Sequence, residues 1–213
     1  MARLGGHTNA APAKRRARAV ESFGSAAECI GEFGPGYSLF AITRGQFSML
    51  DICSVLIDQV GACEVSAWTW AIADYEAECF EAFMLDGRID SARLVVDRSA
   101  EQKNAVVIER WRSRFGVESV RVCKNHAKIA TITTADYRLL VRGSMNLNYN
   151  PRFEQFDITE GGEDYELVRR IEDELPVLRA DASSAEASAA SRLGLVYEAS
   201  TLKMFGGVKP WAK

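Results

Sequence analysis

The chain has 213 residues, 47% of them apolar and 26% charged, with a formal net charge of −3. That length suits one well-filled core, and the composition is that of a soluble globular protein rather than a fibrous or disordered one. No apolar run reaches the ~20 residues of a membrane-spanning helix, and no apolar stretch with a cleavage-like site follows the basic N-terminus, so a cytoplasmic protein without a transmembrane segment is expected. Residues 1–36 read as a basic, flexible arm. It carries Arg3, Lys14, Arg15, Arg16 and Arg18 with no acid among its first eighteen residues, and it ends at the breaker Gly34, Pro35, Gly36.

From there strand-length and helix-length patterns alternate. Residues 37–43 form a short apolar run. Residues 46–60 follow with Met49, Cys53, Leu56 and Val60 at helical spacing, then a strand over 63–70 and a helix over 73–85 with Tyr75, Cys79 and Phe83 on one face. A third strand covers 92–97 and a third helix 101–115, through Ile108 and Trp111, stopped by Gly116. Such alternation predicts an α/β fold, a mixed sheet with helices on both faces. After Gly116 the pattern changes. Residues 119–133 and 137–146 are extended runs joined by a polar turn at Thr134, Ala135 and Asp136, which predicts a hairpin. An amphipathic helix over 163–178 follows, and the acidic stretch 157–174 reads as a solvated helix face. Residues 37–179 thus form the domain, and 180–213 an Ala/Ser-rich linker and tail.

The five cysteines are odd in number and scattered, four of them among apolar neighbours, as small hydrophobes of a reduced compartment are. With no CxxC pair and no His/Cys cluster, no metal and no cofactor are expected.

The hairpin carries the chemistry. On a strand, side chains two apart point the same way, so His126 and Lys128 share a face, as do Arg142, Ser144 and Asn146 on the next run. An imidazole, an ammonium, a hydroxyl and an amide would then face one pocket. Lys128 offers charge-assisted donors to the non-bridging oxygens of a phosphodiester, while Ser144 and Asn146 add neutral donors. Imidazole can attack phosphorus and form a phosphohistidine, and a second protonatable group must protonate the leaving oxygen. The chain has only two histidines, His7 and His126. His7 lies in the arm, so a second copy's His126 is the economical source.

At these residues the sequence resembles the phospholipase D superfamily, whose signature is H-x-K-x4-D followed by G-S-x-N. H-x-K is complete at His126 to Lys128 and G-S-x-N at Gly143 to Asn146. Thr133 stands where the pattern asks for Asp, while Asp136, with six residues between it and Gly143, keeps the spacing to the second part. The resemblance implies a phospholipase D-like fold, a homodimer with one active site across its two-fold axis, and Glu154 as the acid that hydrogen-bonds the histidine. It implies a metal-independent hydrolase, a phosphodiesterase, and for a small single-motif member a nuclease acting on DNA or RNA. A weakly catalytic nucleic-acid-binding module and a phospholipid phosphodiesterase are the alternatives.

Further candidates surround the hairpin. Thr69 and Trp70 fall at the C-terminal end of a strand, where open α/β sheets place ligands. Trp68 and Trp70 share a strand face, and either one stacks on a base or both pack. Arg142 either contacts the substrate phosphate or faces solvent.

Overall fold

The computed structural model describes residues 15–19, 24–175 and 177, apart from the side chains of 15–19 and 100–102. His7 and the tail 180–213 lie outside the described residues. Among the described residues eight strands form one mixed sheet: β1 (Arg15–Ala19), β2 (Ser38–Thr43), β3 (Cys63–Thr69), β4 (Ile89–Asp97), β5 (Val120–Cys123), β6 (Lys128–Thr133), β7 (Arg138–Gly143) and β8 (Glu154–Glu160). Their order across the sheet is β1-β2-β8-β7-β6-β3-β4-β5. The helices are α1 (Ala26–Ile30), α2 (Met49–Val60), α3 (Asp74–Leu85), α4 (Arg98–Lys103), α5 (Ala105–Phe115) and α6 (Glu163–Glu174). No helix among the described residues is long and apolar enough to cross a membrane.

The alternation of strand side chains sorts the core. Odd-numbered residues of β3 (Val65, Ala67) and even-numbered residues of β4 and β6 (Leu94, Val96, Ala130, Ile132) enter the larger core. That core is closed by α2 through Met49, Ile52, Cys53 and Leu56, by α3 through Phe80, and by α5 through Ile108 and Trp111. The helical spacing of these residues is what lays each helix on the sheet. At the start of α2 the Ser48 hydroxyl accepts from Asp51 N, and the Asp51 carboxylate accepts from Ser48 N, a reciprocal cap that fixes where the helix begins. On the other sheet face Trp68, Val95 and Leu140 meet Tyr165 and Val168 of α6 in a second, smaller core. The expected α/β class, a mixed sheet with helices on both faces, is therefore observed.

Five local expectations differ from the structure. Within residues 1–36, Arg15–Ala19 pairs as a strand parallel to β2, and Ala26–Ile30 is a helix capped by Ser25. The third helix is two helices, α4 and α5, meeting at Asn104. The run 119–133 is not one strand. Its first part, β5, pairs parallel with β4 at the sheet edge, and its second, β6, lies antiparallel between β3 and β7. The acidic stretch begins as strand rather than helix: β8 lies between β2 and β7, with Phe156 and Ile158 in the large core. Acids spaced along its length masked a period-two apolar pattern, and its pairing on both sides outweighs their low strand propensity. The predicted helix over 163–178 ends at Glu174.

The strand directions bring the motifs together. The C-terminal ends of β2, β3, β4, β5 and β7 and the N-terminal ends of β6 and β8 all lie along one edge of the sheet.

Candidate active site

Lys128 opens β6 and faces Gly143, the last residue of β7. Gly143 permits a close approach. A Cβ there would lie 2.7 Å from the Gln155 carbonyl oxygen and 3.1 Å from Phe156 Cβ, so any side chain would push β7 off β8. This is a physical reason for glycine before Ser144. Immediately after it, the Ser144 hydroxyl accepts from Gln155 N at 3.0 Å and donates to the Glu154 carboxylate. Asn146 reaches across to the end of β3, where its Oδ1 accepts from Trp70 N at 3.3 Å and lies 3.4 Å from Thr69 Oγ1.

His126 is not on a strand. It sits in the loop between β5 and β6, exposed, between the buried residues Asn125 and Lys128 and next to the exposed Ala127. Lys128 Nζ lies 3.0 Å from His126 Nδ1 and donates to the His126 carbonyl at 2.6 Å. Burial pushes the Lys128 amine below its ordinary value, and the nearby Glu154 carboxylate partly offsets that shift. The Trp70 ring, just past the end of β3 and 42% exposed, has its centroid 6.0 Å from that of His126. His126, Lys128, Ser144, Asn146, Glu154, Thr69 and Trp70 thus gather at one sheet edge.

Three expectations about side chains meet a different arrangement. Arg142 pairs in register with Ile129 on the α6 face, where it is held by Asp157 and Asp164. The alternation that carries Lys128 to one face carries Arg142 to the other. Glu154 bonds Ser144 and Asn150 rather than the imidazole, Asn150 Nδ2 donating to its Oε1 at 3.1 Å. Trp68 does not accompany Trp70: it is buried under α6, its Nε1 donating to Glu172 at 2.9 Å. Thr133, in place of the motif Asp, lies at the far end of β6 and bonds Tyr165. Five residues of strand, about 16 Å, separate it from Lys128, so the substitution lies away from the groups gathered at the sheet edge.

Two residues that the hairpin pattern did not single out join the edge. Asp97 ends β4, where its Oδ1 accepts from Ser99 N at 2.8 Å and its Oδ2 from Asn125 N at 3.0 Å. Burial alone would raise the Asp97 carboxyl. Hydrogen bonds from Ser99 and Asn125, and the charge of His126, outweigh it and hold the carboxyl below its ordinary value. Asn125 Nδ2 donates to Thr69 O at 3.1 Å and Val95 O at 3.3 Å, and its Oδ1 accepts from Ala127 N at 2.8 Å. The sequence signal for Asp97 was its place at a strand C-terminus. Asn125 gave none beyond adjacency to His126. Among the described residues no three His, Cys, Asp or Glu side chains converge as metal ligands.

No protein-family model matches the chain, and no curated protein is similar to it in sequence. Among solved structures, NucT from Helicobacter pylori is similar over 65% of this chain and 96% of its own, at 13% identity and a TM-score of 0.47. A polyphosphate kinase from Porphyromonas gingivalis is similar over 74% of this chain at 17% identity and a TM-score of 0.48, and the archaeal chromatin protein TrmBL2 over 70% at 10% identity and 0.41. The chain spans 30% of the kinase and 55% of TrmBL2.

Proposed function

We propose that the chain is a metal-independent phosphodiesterase of the phospholipase D type, a nuclease acting on DNA or RNA through a phosphohistidine on His126. The observation that carries this reading is the exposed imidazole held 3.0 Å from the Lys128 ammonium, at the strand ends that also present Ser144 and Asn146. An ammonium facing imidazole Nδ1 donates a proton to it. A phosphate that enters competes for that ammonium, which turns from the ring to the non-bridging oxygens. Lys128 thereby supplies the charge that a metal ion supplies in other phosphodiesterases.

In the first step a ring nitrogen of His126 attacks phosphorus, a P–N bond forms, and the P–O bond to the leaving alcohol breaks. That oxygen takes a proton from the partner subunit's His126, the second imidazole at a shared two-fold site. In the second step water attacks phosphorus and gives a proton to the same partner imidazole, and the P–N bond breaks. Glu154 orients the Ser144 hydroxyl and moderates the Lys128 charge. Trp70, exposed beside His126, stacks on a base of the strand being cut.

The test is cleavage of plasmid and single-stranded oligonucleotide in excess EDTA, with His126→Ala as control. EDTA-resistant cleavage that His126→Ala abolishes supports the reading. Salt-sensitive binding without cleavage by the wild type would instead make it a binding module. Sedimentation velocity reads the dimer: a species of single-chain mass that retains cleavage would remove the shared site.

A further inference from the structure

We propose that Asn125, anchored by Asp97, is a positioning residue that sets the place of His126, a task the family resemblance gives to Glu154. The proposal rests on the reading of His126 as nucleophile and deepens it.

The loop that carries His126 has little slack. It leaves β5 at Cys123, which pairs with Asp97 on β4, and must pass the ends of β4 and β3 to enter β6 at Lys128. Those three strand spacings amount to about 14 Å. Five Cα steps reach at most about 17 Å when fully extended. A nearly extended crossing offers few partners within itself, so it needs anchors from the strands beneath.

Asn125 supplies them. Its side chain is 6% exposed and saturated in the three bonds to Thr69 O, Val95 O and Ala127 N, while its backbone N–H is taken by Asp97. It thus ties the loop to two strand ends on one side of His126 and closes a short ring around it on the other. An amide is required here, because only it offers two donors and an acceptor in one plane. The Asn125 and Ala127 N–H groups are both held, so the backbone on either side of His126 is fixed.

Asp97 has two partners of its own, Ser99 and Asn125 N. Through them it ties the Asn125 backbone to the end of β4, while Glu154 is held by Ser144 and Asn150.

Asp97→Asn has one acceptor oxygen where the carboxylate has two, so it loosens one of the Ser99 and Asn125 anchors. In a His7→Ala background His126 is the sole imidazole, and its ring protons are followed by NMR through their cross-peaks to the Trp70 ring, whose centroid is 6.0 Å away. Asn125→Ala should weaken those cross-peaks about two-fold or more and lower kcat about 100-fold while KM stays within about two-fold, the signature of a misplaced reacting group. Asp97→Asn should move both in the same direction by less. Unchanged cross-peaks in Asn125→Ala overturn the placement, and so does a defect in KM alone. The NMR arm reads His126 whether or not the wild type cleaves nucleic acid, so failure of the nuclease reading stays distinct from failure of this one.

Discussion

Gly143 lies so close to Gln155 that a Cβ on the glycine would stand 2.7 Å from the Gln155 carbonyl oxygen. The same contact delivers Ser144 to Glu154 and Gln155 N. Gly143→Ala should therefore part β7 from β8 at the site edge. Its expected cost is about 1–3 kcal/mol, as for other overpacking substitutions, with loss of cleavage at temperatures where the protein is still folded. Urea denaturation and the cleavage assay on one preparation check both. Full activity in a stable Gly143→Ala protein would mean that Ser144 does not need this placement.

Arg142 bridges Asp157 on β8 and Asp164 on α6, with its side chain 36% exposed. A pair this exposed is screened by solvent, so Arg142→Ala should cost at most about 1 kcal/mol. Because the guanidinium lies on the face opposite Lys128, affinity for oligonucleotide and its salt dependence should be unchanged. A salt slope reduced by about one unit would place Arg142 on the phosphate backbone instead.

Glu172 of α6 is fully buried, and it accepts from Ser66 Oγ, from Trp68 Nε1 at 2.9 Å and from Arg93 at 2.8 Å. Removing it leaves Ser66 and Trp68 without that acceptor, while Arg93 keeps Asp173. Glu172→Ala should destabilise by about 1–3 kcal/mol for each donor left unpaired. Glu172→Gln, which keeps one carbonyl acceptor, should lose less. Equal denaturation midpoints for wild type and Glu172→Ala would show that α6 is not held through this carboxylate.

Asp97 also makes stability depend on pH. Its carboxyl is held below the ordinary value in the folded chain, so the unfolded chain binds the proton more readily. Its contribution is therefore fully present above the unfolded pKa, about 3.9, and is lost as pH falls through the lowered folded value. Wild type should exceed Asp97→Asn in urea midpoint at pH 7, and the gap should close as the solution is taken below about pH 4. A gap that persists unchanged at pH 2.5 would assign the difference to something other than ionisation.

The pattern along the chain was enough for the βα alternation, the β6–β7 hairpin and the cluster of His126, Lys128, Ser144 and Asn146. Each of these depends on local period or short spacing. It misjudged the run 119–133 because two apolar strands joined by only four residues, Lys124 to Ala127, resemble one long strand in composition. It missed β8 because acids on the half-solvated face of a strand resemble those on a helix.

By itself, then, the sequence determined which chemical groups the chain can offer a phosphate and roughly where the regular segments fall, since side-chain identity and periodicity are local properties. Tertiary structure alone decided that β5 and β6 part company, so that the His126 loop is stretched across the ends of β4 and β3. It alone turned Arg142 away, gave Glu154 to Ser144 and tied Asp97 to the backbone of Asn125. Those outcomes depend on which strands pair and in what register, and pairing between residues far apart in the chain is set by the whole core rather than by any one segment.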